Sequence, residues 1–228
     1  MEELEISAEL HQRIIDLSRA HNTSVFMVMH AAIALLLAKL SGTQDIAVGT
    51  PIAGRGEAEL DDLVGMFVNT LVLRTHVDLD ETFVDLVNQA RTVDLGAFSN
   101  ADVPFERVVD QLSPHRSEAH SPLFQVMVEF QNNEKPRLDL PDLSVDFVEI
   151  PIEIANFDLQ FVLSEKYDGG PAGISAGIRY ATDLFTAQTV RGSLSALSCC
   201  STTPPAILTC QSAASTFLPR KNGLKSRR

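Results

Sequence analysis

The strongest constraint in this chain is a run from Val25 to Ala38 in which every residue except His30 is apolar. Lys39 stops the run. A membrane span needs about 18–20 consecutive apolar residues, so this segment is too short to be read as one. A helix that is apolar almost all round must instead be enclosed by protein on most faces. Thr23 or Ser24 supplies an N-cap, and Ser41-Gly42 ends the helix. A fully enclosed helix requires other layers around it, and the rest of the chain must provide them.

The flanking periodicities do so. Leu10, Ile14, Ile15 and Leu17 fall on one side of a helix over residues 8–20, with Ser7 as its cap. Asp45 to Val48 reads as a short strand entering a Gly/Pro loop, and Val68 to Val77 as a longer strand. Thr82 and Asp85 have capping-box spacing and open a helix to about Ser99. Pro104 starts a short helix, with Phe105 as its buried anchor. Phe124, Val126, Val128 and Phe130 alternate with Gln125, Met127, Glu129 and Gln131, the pattern of a half-buried strand. Further strands are expected over Val145–Ile150, Phe157–Ser164 and Ile174–Tyr180, the last two joined by the turn Tyr167-Asp168-Gly169-Gly170. The expected fold class is α/β, a mixed sheet with helices packed on it.

Charge is divided unevenly. The formal net charge is −12, which argues against nucleic-acid or anionic-membrane partners because both need a basic patch. All 30 acidic residues precede Val190, with 12 of the 18 basic ones, giving −18; the last 38 residues carry six basic residues and no acid. That tail also holds Cys199, Cys200 and Cys210, is rich in Ser and Thr, and shows no sustained period. The expected organisation is therefore one domain over 1–190 and an atypical basic tail over 191–228. The tail can be read as a disordered arm, a basic recognition segment or an out-of-frame product. An odd number of cysteines without framework spacing does not suggest disulfides. The start, Met1-Glu2-Glu3-Leu4-Glu5, is acidic where a targeting peptide is basic, so the expected location is the cytoplasm.

Searching for chemistry yields little. Gly49-Thr50-Pro51-Ile52-Ala53-Gly54-Arg55-Gly56 follows a strand like a phosphate loop. It ends in Arg-Gly rather than Lys-Ser/Thr, so no hydroxyl is placed to hold magnesium. Glu57, Glu59, Asp61 and Asp62 follow it and would repel a triphosphate. The histidines, His11, His21, His30, His76, His115 and His120, form no zinc-type cluster. His30 reads as a packed core histidine, while His115 and His120 read as solvated loop residues. His76 and Asp80 have a His-x-x-x-Asp spacing that a strand end and turn produce by chance. No Ser or Cys occupies a nucleophile elbow.

Five segments in series carry a resemblance. They are Asp45–Arg55 with Gly65-Met66-Phe67-Val68-Asn69-Thr70-Leu71-Val72-Leu73-Arg74, then Asp102-Val103-Pro104-Phe105-Glu106-Arg107-Val108-Val109, Ser121-Pro122-Leu123-Phe124-Gln125-Val126-Met127, Phe157-Asp158-Leu159, and Tyr180-Ala181-Thr182-Asp183-Leu184-Phe185. In this order, over about residues 4–190, the chain resembles the condensation domains of nonribosomal peptide synthetases.

The resemblance implies a chloramphenicol acetyltransferase-like fold of two pseudo-symmetric halves with a tunnel between them. The matched region resembles the second, C-terminal half. The family signature His-His-x-x-x-Asp-Gly belongs to the first half, and this chain contains no adjacent pair of histidines. The implied reaction is acyl transfer: a carrier-bound amine attacks a carrier-bound thioester, forming an amide. The implied substrates ride on phosphopantetheine arms, with no cofactor or metal bound directly. The implied partners are peptidyl or acyl carrier domains and an N-terminal condensation half. On this reading the chain alone is expected to be inactive, with no catalytic residue of its own. Asn69 is the expected tunnel-wall residue and Arg55 the expected floor-loop residue, with a structural hydrogen bond inside the sheet as the equal alternative for Asn69. A non-catalytic docking module, a gene remnant, and epimerising, cyclising or ester-forming relatives are the competing readings.

Overall fold

The computed structural model describes residues 1–56, 58–60, 62–112, 121–131 and 154–200. The elements run β1 (Glu2–Ile6), α1 (Ala8–Ala20), α2 (Val25–Ser41), β2 (Asp45–Ile52), β3 (Asn69–His76), α3 (Phe83–Phe98), α4 (Phe105–Leu112), β4 (Val126–Gln131), β5 (Leu159–Tyr167), β6 (Pro171–Tyr180) and α5 (Ala187–Cys200), with one 3-10 turn at Ala58–Leu60. The fold is the mixed α/β arrangement expected. The strand expected over 145–150, together with His115 and His120, lies outside the described residues.

The caps follow from the sequence. The Ser7 hydroxyl accepts the Leu10 N–H, and the Ser24 hydroxyl accepts the Met27 N–H. Thr82 and Asp85 close a reciprocal capping box at the start of α3. Gly42 ends α2 in the left-handed conformation, with φ at 72°.

The six strands form one sheet in the order β1-β6-β5-β4-β2-β3. β2, β4 and β5 are parallel neighbours, and the remaining pairs are antiparallel. Ile46, Val48, Leu73, Val128, Phe161, Leu163, Ile174 and Ile178 point to one face, where α1, α2, α3 and α5 cover them. Alternation puts Gly49, Val72, Arg74, Gln160 and Glu129 on the reverse face. α2 lies at the centre of the covered layer, with every residue from Met27 to Ala38 buried. A core position accounts for its all-round apolar character. Among the described residues, no single helix is long and apolar enough to cross a membrane.

One element, β1, was not anticipated, and the closing helix α5 runs further than the boundary expected at Val190. β1 pairs antiparallel with β6, from Glu2 against Ile178 to Ile6 against Ile174. α5 runs through the charge boundary at Val190 without interruption. Val190, Leu194 and Leu197, spaced i, i+4, i+7, are all buried in the core. The folded layer therefore extends to Cys200 rather than stopping at Val190. A change in surface charge does not end a helix whose buried stripe continues.

The connection between α3 and α4 wraps around the edge strand β3. α3 packs on the covered face, whereas the Phe124 ring lies over Gly49 on the reverse face, so close that a Cβ at Gly49 would overlap it. Phe105 packs edge-on against Phe124 at 5.8 Å between centroids. Phe105 anchors α4 as expected but is half-buried, and Phe124 is the fully buried member of the pair.

Candidate functional site

The three parallel strands point their carboxyl ends to the same edge of the sheet. In open α/β sheets, ligands bind in crevices outside such ends. Here that edge carries a cleft of about 730 Å³ between α1, the start of α2 and the ends of β2, β4 and β5. Its apolar wall is Phe26, Phe98 and Phe130, with Phe26 edge-on to both of the others at 6.2 and 6.1 Å. Thr50, Ile52 and Ala53 form its base, and Glu165, Tyr167 and Arg19 lie at its polar end.

The polar end is tightly organised. His11 on α1 is fully buried, and its Nε2 lies 2.8 Å from Glu165 Oε1. Its Nδ1 accepts the Gly173 N–H at 3.3 Å, so the ring proton resides on Nε2 and is donated to the carboxylate. The Tyr167 hydroxyl donates to the same Oε1 at 2.9 Å, and its ring meets His11 edge-on at 5.4 Å. Burial, and then the bond to Glu165, push the Tyr167 phenol above its ordinary pKa, so it stays a donor. The β5–β6 register shifts between Lys166 and Tyr167, a local irregularity of the kind that re-aims side chains at sheet ends.

A second cleft of about 630 Å³ adjoins the first and shares Ile52, Ala53 and Phe98 with it. Both residues expected from the sequence, Arg55 and Asn69, line it. Arg55 folds the loop between β2 and β3. Its guanidinium donates to the carbonyls of Leu60 and Leu63 and stacks 4.3 Å from the centre of the Phe67 ring. Gly54, with φ at 64°, lets the chain pass the Phe67 carbonyl where a Cβ would overlap it. The loop so formed exposes Leu63, Val64, Met66 and Val68.

Asn69 directs its side chain to the α3–α4 connection. Its Nδ2 donates to Ala101 O at 2.8 Å and Val103 O at 2.9 Å, and its Oδ1 accepts the N–H groups of Phe105 and Thr70. These contacts occupy both donors and both acceptor positions of the amide. The tertiary bonds run to the α3–α4 connection rather than inside the sheet, and clamp a wall of the cleft.

Behind the aromatic wall lies a buried pair. His30 Nδ1 is 2.8 Å from Asp94 Oδ1, with both side chains essentially inaccessible. The distance is that of an ion pair, but the alignment is not that of a hydrogen bond. His30 stacks on Phe26 at 6.2 Å, and Thr75 Oγ1 approaches its Nε2 at 3.5 Å. His30 is thus the core histidine expected, while Asp94 gave no sequence signal. His76 and Asp80 are exposed and make no bond to each other among the described residues. Nor, among those residues, does any group of three His, Cys, Asp or Glu side chains form a metal-binding cluster. Sequence reasoning missed His11, Glu165 and Tyr167, whose spacing of 154 residues between the first two leaves no local pattern.

Comparison with known proteins gives a consistent result. The sequence profile of the condensation domain matches residues 2–200. The chain is 46% identical over 185 residues to an isonitrile lipopeptide synthase of Mycobacterium tuberculosis, covering 80% of this chain and 7% of that protein. It is 44% identical over 188 residues to a dimodular nonribosomal peptide synthase of Bacillus subtilis, covering 82% and 8%. This chain therefore spans less than a tenth of either relative. Among solved structures, the X-domain from teicoplanin biosynthesis superposes with a TM-score of 0.81 at 22% identity, over 93% of this chain and 48% of that one. A four-domain nonribosomal peptide synthetase bound to AMP and glycine gives 0.79 at 22%, over 88% and 16%. On the profile match and the curated relatives, supported by the shared fold, the chain belongs to the condensation-domain family of nonribosomal peptide synthetases.

Proposed function

We propose that this chain is the C-terminal lobe of a condensation domain and forms one wall of a substrate tunnel. The observation that carries the proposal is the pair of adjoining clefts at the carboxyl end of β2, sharing Ile52, Ala53 and Phe98, the larger of which also reaches Phe130 of β4 and Glu165 of β5. The reaction is acyl transfer between two substrates held on phosphopantetheine arms of carrier domains. An amine on one carrier attacks the thioester carbonyl on the other; the amide forms, the thiolate leaves, and the amine proton is passed to a base. Positioning and charge stabilisation dominate such a step. The chain contains no adjacent histidines, so the group for proton or oxyanion work must come from a histidine-bearing N-terminal half. The exposed Leu63, Val64, Met66 and Val68 support a partner half, which would cover them.

The direct test mixes the purified chain with an aminoacyl donor carrier and an acceptor carrier, with and without a histidine-bearing half. Dipeptidyl thioester is read by mass spectrometry. Product is expected only with both halves. Product from this chain alone, abolished by His76→Ala, would instead make the His76 and Asp80 pair a real site. No product with any matching half would reject the proposal.

A further inference from the structure

We infer that Glu165 is a recognition group for the protonated α-amine of an aminoacyl substrate whose apolar side chain rests on the Phe26, Phe98 and Phe130 wall. The inference deepens the condensation reading and rests on it for the identity of the substrate.

The argument begins with what the site does to one carboxylate. Glu165 stands at the end of β5 on the helix-covered face, in register with Ile174. Its side chain is 17% exposed, and a carboxylate so nearly buried is costly unless it is bonded. His11 and Tyr167 supply those bonds, and both fall on Oε1. Among the described residues, Oε2 accepts no hydrogen bond. The His11 proton is fixed on Nε2 by the Gly173 N–H, so the carboxylate is held by two neutral donors. Neutral donors orient the charge without cancelling it. A site built only to stabilise the fold would be served as well by a neutral amide at this position.

The surroundings select the ligand. One end of the cleft is three phenylalanine rings, which take an apolar body. The other end offers a fixed anionic oxygen beside the Tyr167 ring, a pairing that favours an ammonium group. Arg19 lies on the same rim, is exposed, and can swing into water. An α-amine sits one carbon from its side-chain branch, so a single aminoacyl group can touch both ends. A simple alkylamine also carries an ammonium and an apolar chain, but has no aromatic ring to pack on the phenylalanine wall.

The test uses the full chain and three probes: L-phenylalaninamide, N-acetyl-L-phenylalaninamide and pentylamine, with binding followed by NMR shift titration. L-phenylalaninamide should bind at least about tenfold more tightly than its acetylated form. Shifts should centre on the amides of residues 165–167 and 26. Glu165→Gln keeps an acceptor for His11 and Tyr167 but removes the charge. It should abolish that tenfold preference and leave the acetylated probe unaffected. Tyr167→Phe, which removes only the hydroxyl that donates to Glu165 Oε1, should reduce the preference about two- to threefold and serves if the Gln variant does not fold. Equal binding of the first two probes by the unaltered chain would overturn the inference, as would undetectable binding of all three. Tighter binding of pentylamine than of L-phenylalaninamide would overturn the α-amine assignment. None of these assays involves a carrier domain or a partner half. Failure here leaves the condensation assay to stand or fall by itself, and failure of that assay leaves amine selectivity measurable.

Discussion

Replacing Asn69 by Ala should unfold this domain more readily, although the residue lines a cleft. The amide makes three tertiary hydrogen bonds to the α3–α4 connection, to Ala101 O, Val103 O and the Phe105 N–H, and a fourth to the adjacent Thr70 N–H. A net hydrogen bond contributes about 0.5–1.5 kcal/mol, so the three tertiary bonds sum to roughly 1.5–4.5 kcal/mol. Asn69 is only half-buried, and water can re-bond some of the groups released. About 2–3 kcal/mol is the expected loss, at the middle of that range. For a domain of this size that corresponds to a fall in Tm of about 5–10 °C. Urea denaturation followed by circular dichroism measures the difference, with the slope m unchanged if the unfolded state is unaltered. Asn69→Asp should be at least as harmful, because it sets a carboxylate oxygen against the carbonyls of Ala101 and Val103. A loss below about 1 kcal/mol, joined to a selective fall in turnover of a reconstituted two-half domain, would refute the clamp and restore Asn69 as a substrate-facing residue.

Two other perturbations probe different parts of the structure. Asp94→Ala removes the carboxylate 2.8 Å from the buried His30 Nδ1 and should cost about 3–5 kcal/mol in the same denaturation assay; a cost near zero would mean that this contact does not hold the core together. The Asp85 carboxyl is held below its ordinary pKa by the Thr82 side chain and then by the Thr82 backbone N–H, so NMR titration of Thr82→Ala should return it toward the ordinary value. Because the folded-state pKa is the depressed one, this cap contributes at pH values above the ordinary Asp range, and its contribution is lost as the pH falls through the folded-state value.

Local signals told the truth about local structure. Ser24, Gly42, Thr82 and Asp85 mark helix ends by chemistry confined to three or four residues, and the ends lie where those residues place them. The alternation around Val126 and Val128 likewise needs no distant partner to be read. β1 escaped notice because Glu2 to Ile6 is five residues long and becomes a strand only by pairing with residues 174–178. The extent of α5 was obscured by the loss of acidic residues, which set the expected boundary at Val190 although Val190, Leu194 and Leu197 keep a helical stripe. Alternation along the strand that carries Asn69 cannot say which face meets the α3–α4 connection. The polar end of the cleft was illegible for a stronger reason. His11, Glu165 and Gly173 become neighbours only when α1 docks against β5 and β6, and each alone is an ordinary residue in an ordinary helix or strand.

The pairing of β1 with β6 has a bearing on how the domain is made. Glu2 and Ile178 are the first and nearly the last residues of the sheet, yet they are partners. A ribosome must extrude all of β6 before β1 can find its place, and α5, which packs against both strands, emerges later still. Until then the β6 edge presents unpaired N–H and C=O groups, a template for any extended segment nearby. Contacts so distant along the chain carry a high loop-closure cost and favour slow closure of the sheet. The vulnerable interval in the folding of this domain is therefore the time between synthesis of Tyr180 and the docking of β1, when Glu2, Glu3 and Glu5 have yet to cover that edge.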